Sequence, residues 1–291
     1  MIKWPDQLIE DIARKRSVLV LGSGVSANST NSAGQKPKTW AAFLEFALQQ
    51  HTIKSTEKKV IAKLIRNGDY LTACELIRKS MGREDFNKML KSEFLTPKFN
   101  SSTIHENLYK LDSRIVLTPN FDKIYDTYAT TISSGATLIK AYTDSDVADC
   151  VRGHEPLVIK LHGSVDTPDH LIFSRKDYAE ARNKHATFYR LIDALAITYT
   201  FVFIGCGVND PDIRLLLEDY AFSFPLNRAH YMITSKQGTH ESIRRVLEET
   251  LGIKMLTYDS KNGHKELHDS IGDLLVKVDL QRTQLASTFG W

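Results

Sequence analysis

The chain has 291 residues, of which 42% are hydrophobic and 25% are charged, with 15 glycines and 8 prolines. This composition is typical of a globular protein of one large domain, and it excludes collagen-like and mostly disordered chains. The formal charge of +3 is too small for binding to nucleic acids or membranes that depends on net charge.

Compartment and membrane association follow from the cysteines and the apolar runs. Cys74, Cys150 and Cys206 are too few and too far apart for a disulfide framework or a four-cysteine zinc site. No apolar run approaches the roughly 20 residues of a membrane span, and residues 18–21 are too short a run for a secretion signal. We therefore expect a cytoplasmic protein that binds no membrane and makes no direct contact with nucleic acid.

The predicted strands are short β-branched runs that end in glycine or in a turn. They cover residues 17–21, 114–117, 157–161, 200–204, 230–234 and 253–258. Such runs are typical of strands buried on both faces of a parallel sheet. Because segments of helical period separate them, the sequence predicts an α/β fold with a Rossmann-like, doubly wound, mostly parallel sheet.

The connection after the first strand is far longer than a usual crossover between parallel strands. Within it, Trp40, Phe43, Leu44, Ala47 and Leu48 recur at the spacing of one helix face, and further helical stretches follow. We predict a helical sub-lobe over residues 40–112, inserted into a single domain of residues 1–291. The face between this sub-lobe and the sheet would form a cleft suited to a small ligand.

The first strand leads into Gly22-Ser23-Gly24-Val25-Ser26-Ala27, which fits the dinucleotide-binding pattern G-x-G-x-x-G/A. Glycines there permit a tight turn and a close approach of the backbone to a pyrophosphate. Glycine pairs also follow strands simply because strands must turn. The ribose-binding acid of dehydrogenases should end a second strand, but Glu45 lies in a predicted helix. An ordinary hydride-transferring dehydrogenase is therefore disfavoured.

Polar residues follow the second and third strands. Asn120 and Asp122 lie at the carboxyl edge of the sheet, where ligands of doubly wound folds bind, although either could instead cap the following helix. His162 leaves the third strand directly before Gly163, as a candidate general base near neutral pH or as a hydrogen-bonded structural residue.

The fourth strand ends in a second glycine pair. Gly205-Cys206-Gly207 is followed by Asn209-Asp210-Pro211, which indicates a helix cap and a proline that opens a helix. Cys206 could be a nucleophile, but a small residue is needed at this position in any case.

These motifs, in the order Gly-x-Gly-x-Ser, Thr-x-Asn-x-Asp, His-Gly and Gly-x-Gly, resemble those of the sirtuins over about residues 17–260. Sirtuins are NAD-consuming proteins with a Rossmann-like domain and a smaller lobe. The resemblance implies that the phosphates and ribose of NAD are wrapped by Gly22, Ser23, Gly24 and Ser26. It implies that Asn120 and Asp122 hold the nicotinamide ribose and carboxamide and that His162 is catalytic. It further implies contacts of Gly205, Cys206 and Gly207 with the ADP-ribose part.

One departure from the sirtuin pattern indicates which branch of the family the chain resembles. Protein deacylases of this family carry two Cys-x-x-Cys pairs for structural zinc soon after the His-Gly, whereas residues 164–178 contain no cysteine. Without a zinc ribbon, the chain resembles a zinc-free bacterial branch that includes NAD-hydrolysing effectors of antiphage defence. This implies an NAD⁺ glycohydrolase that takes NAD as substrate, needs no metal, and acts in abortive infection by depleting NAD.

Two alternatives stay open at this point. The first is a protein deacylase or ADP-ribosyltransferase, which uses another acceptor, and the second is a module that senses NAD or ADP-ribose without turnover. Because unregulated NAD hydrolysis would kill the host, we expect gating. The resemblance implies a homo-oligomer, a partner ATPase of the hexameric translocase (HerA-like) type, or another phage-sensing protein. Leu285, Phe289 and Trp291 in the tail are candidates for docking on a neighbour.

Overall fold

A parallel sheet of seven strands forms the centre of the chain in a computed structural model. The structure describes residues 1–50, 53–208, 210–237 and 240–289. Of the residues named above, Asn209, Trp291 and the side chain of Phe289 lie outside the described residues.

All six strand pairings are parallel, in the order β3-β4-β2-β1-β5-β6-β7. The strands are β1 (Ser17–Leu21), β2 (Ile115–Thr118), β3 (Leu138–Ala141), β4 (Leu157–Lys160), β5 (Thr200–Ile204), β6 (His230–Ser235) and β7 (Ile253–Tyr258). Since helices cover both faces, the predicted Rossmann-like fold class is confirmed. Strand β3, which the sequence analysis did not predict, is a half-buried edge strand of four residues and lacks a continuous buried run.

The helices were predicted only as segments, and the structure gives their bounds. They are α1 (Asp6–Ala13), α2 (Ser23–Ser26), α3 (Trp40–Leu48), α4 (Ser55–Arg66), α5 (Tyr70–Met81), α6 (Arg83–Phe94), α7 (Thr103–Lys110), α8 (Ile124–Ile132), α9 (Val147–Arg152), α10 (Arg175–Lys184), α11 (Ala186–Thr198), α12 (Pro211–Ser223), α13 (Glu241–Leu251) and α14 (Lys261–Phe289). The backbone is non-helical at Asn262, Gly263 and His264 within α14. Among the described residues, every helix is too short or too polar to cross a bilayer.

The sheet separates two apolar clusters. On one face, Leu19 and Leu21 of β1 pack with side chains of α1, α7 and α14. On the other face, Val18 and Val20 pack with α10, α11 and α12. This alternation follows from the two-residue period of a strand, and it explains why the strand reads as an unbroken apolar run in the sequence.

The predicted helical sub-lobe has its own apolar core, built from α3 to α6. The side chain of Phe173 joins this core, and its ring stacks on Trp40 with 4.9 Å between centroids. Arg78 of α5 donates to both carboxylate oxygens of Asp177 in α10, each at 2.8 Å. Helix α7, the last helix of the predicted insert, instead packs against α14 in the sheet cluster. The separate core therefore ends with α6.

Candidate active site

The topology brings the four motif-bearing strand ends to one place. The strands β4, β2, β1 and β5 are consecutive neighbours and all parallel, so their carboxyl ends lie along one edge of the sheet. The chain leaves β1 towards β2 on one side and leaves β5 towards β6 on the other, which makes the β1–β5 boundary the topological switch point. Ligands of doubly wound folds bind in the crevice at such a point.

The two glycine loops at the switch point pack against each other through their backbones. The N–H of Gly22 donates to the carbonyl of Ile204, and the N–H of Gly24 donates to the carbonyl of Gly205, both at 2.9 Å. A Cβ atom on Gly22 would lie 2.3 Å from the carbonyl oxygen of Gly205. Glycine is therefore required here by loop–loop contact, in addition to any need of a bound pyrophosphate.

Gly205 is the residue of this loop–loop contact that tolerates a side chain least. Its φ of +67° favours glycine, and a Cβ atom would lie 2.6 Å from the backbone nitrogen of Val25. We expect Gly205→Ala to lower the free energy of unfolding by about 1–3 kcal/mol, because the new side chain strains the backbone and forces the two loops apart. Urea unfolding monitored by circular dichroism measures this effect.

Gly272→Ala is the matched control for that measurement. Gly272 lies in α14 with negative φ, and nothing lies within 4 Å of a Cβ atom built there. Because alanine is the better helix former by about 0.8–1 kcal/mol, this variant should be as stable as the parent protein or more so. Equal stabilities for the two variants would contradict the loop–loop interpretation.

Asn120 and Asp122 are joined through Ser26, which belongs to the first glycine loop and α2. The Asn120 side-chain amide donates to the hydroxyl of Ser26 at 3.1 Å, and that hydroxyl donates to Asp122 Oδ2 at 2.8 Å. Asp122 Oδ1 accepts the N–H of Ile124 at 3.0 Å, at the start of α8. One oxygen of Asp122 therefore acts as the predicted cap at the start of α8, and the other oxygen orients Ser26.

Asn120 is the member of this group best placed to meet a ligand. It is only partly buried, and among the described residues its amide oxygen makes no hydrogen bond. Asp122 is almost fully buried, and both of its carboxylate oxygens accept hydrogen bonds from the protein itself. The geometry therefore gives Asp122 and the buried Ser26 positioning roles, with Asn120 as the partly exposed member of the group.

His162 is held beside the Asn120 segment by the backbone. The N–H of Leu161 donates to the carbonyl of Thr118, and the N–H of Val165 donates to the carbonyl of Phe121, both at 2.8 Å. These two hydrogen bonds lie on either side of His162 in one segment and on either side of Asn120 in the other segment. Within the described ranges, no hydrogen bond joins the His162 side chain to Asn120 or Asp122.

Two carboxylates that the sequence analysis missed face His162. Its Nε2 atom lies 3.4 Å from Asp212 Oδ2 and 3.8 Å from Asp210 Oδ2, and the imidazole is almost fully buried. Burial alone would disfavour the imidazolium, but Asp210 and Asp212 outweigh it and raise the pKa of His162 above its ordinary value of 6.5.

The carboxylates are themselves fixed by surrounding side chains. Arg182 pairs with Asp212 Oδ1 at 2.7 Å, and the Tyr189 hydroxyl donates to its other oxygen at 3.2 Å. Tyr178 donates to Asp210 at 3.2 Å, and its ring meets the His162 ring edge-on at 5.1 Å between centroids. These partner side chains belong to α10 and α11, and only the packing of these two helices beside α12 brings them to the carboxylates. Asp210 was predicted only as a cap.

Asp210 also fulfils that predicted role as a helix cap. Its Oδ1 accepts the N–H groups of Asp212 and Ile213 at 3.0 and 3.1 Å, at the start of α12. One residue thus begins the helix that carries Asp212 and places its second oxygen near His162. The acids in the first turn of α12 are the one sequence signal that points to these carboxylates.

Cys206 does not have the surroundings of a nucleophile. Its thiol donates to the carbonyl of Val20 at 3.3 Å, and burial raises the pKa of the thiol well above its ordinary value. Because the thiolate is the reactive form, this position favours a small structural residue. Among the described residues, no group of three or more histidine, cysteine or acidic side chains could hold a metal ion.

The comparison with protein families agrees with the resemblance drawn from the motifs. Residues 114–256 match the model of the SIR2-like domain, so the predicted resemblance to the sirtuins is confirmed. Asn120, Asp122, His162 and the Gly205–Cys206–Gly207 segment lie inside the matched range, whereas the first glycine loop lies before it.

Curated relatives include proteins named for NAD hydrolysis and for defence. The NAD(+) hydrolase ThsA of Acinetobacter baumannii is 27% identical over 133 residues, which are 45% of this chain and 27% of that protein. ThsA of Bacillus cereus is 21% identical over 229 residues, 78% of this chain and 45% of that protein. Defense-associated sirtuin 2 of Bacillus subtilis is 25% identical over 152 residues, 51% of this chain and 15% of that protein. The matches thus span less than half of each relative.

A solved structure described as "Structural Basis for the Mechanism and Regulation of Sir2 Enzymes" overlaps 98% of this chain and 100% of its own. The two chains are 14% identical, and the TM-score is 0.34.

Proposed function

Because residues 114–256 match the SIR2-like domain, we propose that the chain is an NAD⁺ hydrolase that cleaves the bond between nicotinamide and ribose. The products are nicotinamide and ADP-ribose. The observation that carries the proposal is the joint position of His162 and Asn120 beside the glycine loops of the switch point. The names of the ThsA relatives support the same chemistry.

In the proposed reaction, nicotinamide leaves as a neutral molecule with the electrons of the glycosidic bond, and the ribose passes through an oxocarbenium-like state. A water molecule then adds to the anomeric carbon and loses a proton. The neutral imidazole of His162 takes that proton, directly or through a ribose hydroxyl. The free amide oxygen of Asn120 orients the ribose or the water, and Asp122 fixes Asn120 through Ser26.

The basicity of His162 makes this mechanism dependent on pH in a defined direction. A base whose pKa is raised in the folded protein loses its neutral form as the pH falls through that raised pKa. The pKa of His162 lies above 6.5, so activity should decline once the pH falls below this raised pKa. Asp212→Asn removes one of the raising charges, and we expect it to move this acidic limb to lower pH. The pH profile of kcat/KM and an NMR titration of the His162 ring both measure the shift.

Glu218→Gln is the control for the titration, since Glu218 lies on the same helix and pairs with Arg214 instead of with His162. It should leave the acidic limb in place. An unchanged His162 pKa in Asp212→Asn would contradict the electrostatic role of Asp212, and the NMR titration decides this even without activity.

The direct test is incubation of the purified chain with NAD and separation of the products by chromatography. The proposal expects nicotinamide and ADP-ribose in equal amounts, loss of most product formation in Asn120→Ala, and full activity in Asn183→Ala, an exposed asparagine of α10. Tight NAD binding without products would instead favour a sensing module. Release of nicotinamide only with an acetyl-lysine peptide would favour a deacylase.

We further propose that this activity serves antiphage defence in the cytoplasm by depleting NAD, as the name of Defense-associated sirtuin 2 suggests for that relative. Gating by self-association, by a partner ATPase of the hexameric translocase type, or by another phage-sensing protein is part of the proposal. If the purified chain is inactive alone, activity should appear with assembly or with the partner. Persistence of cellular NAD through phage infection would contradict the defence role.

A further inference from the structure

A pocket of about 290 Å³ lies at the amino edge of the sheet, at the starts of β5 and β6 and therefore opposite the candidate active site. Its lining includes Arg16, Asn227, Arg228 and His230, together with Asp11. The residues near it come from the segments before β1, before β5 and before β6. The proposed function makes no use of this pocket.

His230, which lines this pocket, carries a hydrogen-bond donor that no described residue uses. Its ring is fully buried between Phe201 and Tyr220, with centroid distances of 5.2 and 4.3 Å. The Nδ1 atom accepts the N–H of Phe201 at 3.1 Å, so in the neutral ring the proton is on Nε2. Burial lowers the pKa of His230 to about 4, which keeps the ring neutral at physiological pH. Nε2 is buried and has no partner among the described residues.

The charges around the pocket favour an anion. Arg228 is exposed and makes no ion pair within the described part of the chain. Arg16 approaches Asp11 only at 3.4 Å, and its side chain is half exposed. Asp11 is already satisfied, because its two oxygens also accept hydrogen bonds from Gln7 and Thr200. Arg16 donates one hydrogen bond, to Asp11, so the donors that remain are its other N–H groups, the guanidinium of Arg228 and the Nε2–H of His230.

We propose that this pocket binds a small phosphate-bearing anion through Arg16, Arg228 and the Nε2–H of His230. Guanidinium groups match phosphate oxygens in paired hydrogen bonds, and the neutral imidazole supplies a further donor. A buried donor without a partner in a native structure calls for one, and an oxygen of the anion would fill this need. These three donors come from two segments, before β1 and at the start of β6, and a phosphate offers them more acceptor oxygens than the two of a carboxylate.

The test uses inorganic phosphate as the probe and chain labelled with ¹⁵N in its histidines. We expect a saturable shift of the His230 Nε2 resonance, with the ring identified through the contact of its Nδ1 with the Phe201 amide. Arg228→Gln should weaken phosphate binding by about tenfold or more, because it removes a charge-assisted hydrogen bond at an exposed residue whose loss does not disturb the core. Arg245→Gln, in the exposed part of α13, is the control and should bind like the parent chain.

Three results would overturn the proposal. They are no saturable shift of the His230 resonance, equal weakening in Arg228→Gln and Arg245→Gln, and an equal response to acetate. The readout is a resonance at the amino edge of the sheet, while the proposed NAD site lies at the carboxyl edge. Failure of the proposed hydrolase activity would therefore leave this measurement unaffected, and the reverse also holds.

Discussion

Replacement of His162 by alanine is expected to slow NAD hydrolysis by about 10²–10⁴-fold, the usual contribution of a general base. The imidazole is almost fully buried and faces two carboxylates, which raise its pKa above the ordinary value. In the proposed mechanism, the attacking water would then lack the imidazole that takes its proton. Product formation followed by chromatography measures the loss, and it should appear in kcat more than in KM.

His154→Ala is the matched control, because His154 is an exposed histidine of the connection that precedes β4. It should keep the parent rate. The thermal unfolding midpoint of His162→Gln, which retains a polar side chain of similar size, separates a folding defect from a chemical one. Parent-like hydrolysis by a folded His162 variant would remove His162 from the mechanism.

The fold was predictable where strands are buried on both faces. Strands β1 and β5 have the bounds that their apolar runs predict, because such strands need no alternation and appear as continuous hydrophobic segments. The edge strand β7 also has its predicted bounds, although most of its residues are only half-buried or exposed. The edge strand β3 gave no such signal, since its four residues are each half-buried. Helix α7 shows a different limit. It lies within the predicted insert of residues 40–112, but only packing reveals that its partner is α14.

The candidate site was predictable from the residues that follow strands, and less so from the residues that support them. The positions of Asn120 and His162 follow from parallel strand order, which brings their strand ends to one edge. The carboxylate of Asp212 reaches His162 only because α12 docks with its first turn at that edge. Sequence spacing cannot fix such an approach between side chains 50 residues apart. Their catalytic and NAD-binding roles stay predictions.

The glycine loops illustrate how one motif can have two causes. Gly22 and Gly24 fit a dinucleotide-binding pattern, and a pyrophosphate would account for their lack of side chains. The structure adds a cause within the protein, because the backbone of Gly205 occupies the space that a Cβ atom would need. The Gly-x-Gly pattern alone therefore cannot distinguish ligand binding from loop packing.

Replacement of Lys160 by methionine is expected to lower the free energy of unfolding by about 3–5 kcal/mol, which is the usual cost of removing one partner of a buried ion pair. Lys160 lies in β4, and its ammonium pairs with Asp126 of α8 at 2.8 Å. Only 2% and 5% of the two side chains are exposed, so the carboxylate left behind could not be solvated. Such a loss is large against the roughly 5–15 kcal/mol that stabilise a typical domain. Urea unfolding measures it.

The same ammonium also donates to the backbone carbonyl of Asp122, so it ties β4 to the segment that carries Asn120. Lys277→Met removes an exposed partner of Asp273 and should cost less than about 1 kcal/mol. The double variant Lys160→Met with Asp126→Leu should be more stable than Lys160→Met alone, because it leaves no charge unpaired in the core. If the losses in the free energy of unfolding of the two single variants instead added up in the double variant, the two side chains would not be coupled. Lys160 would then stabilise the site through the Asp122 carbonyl alone.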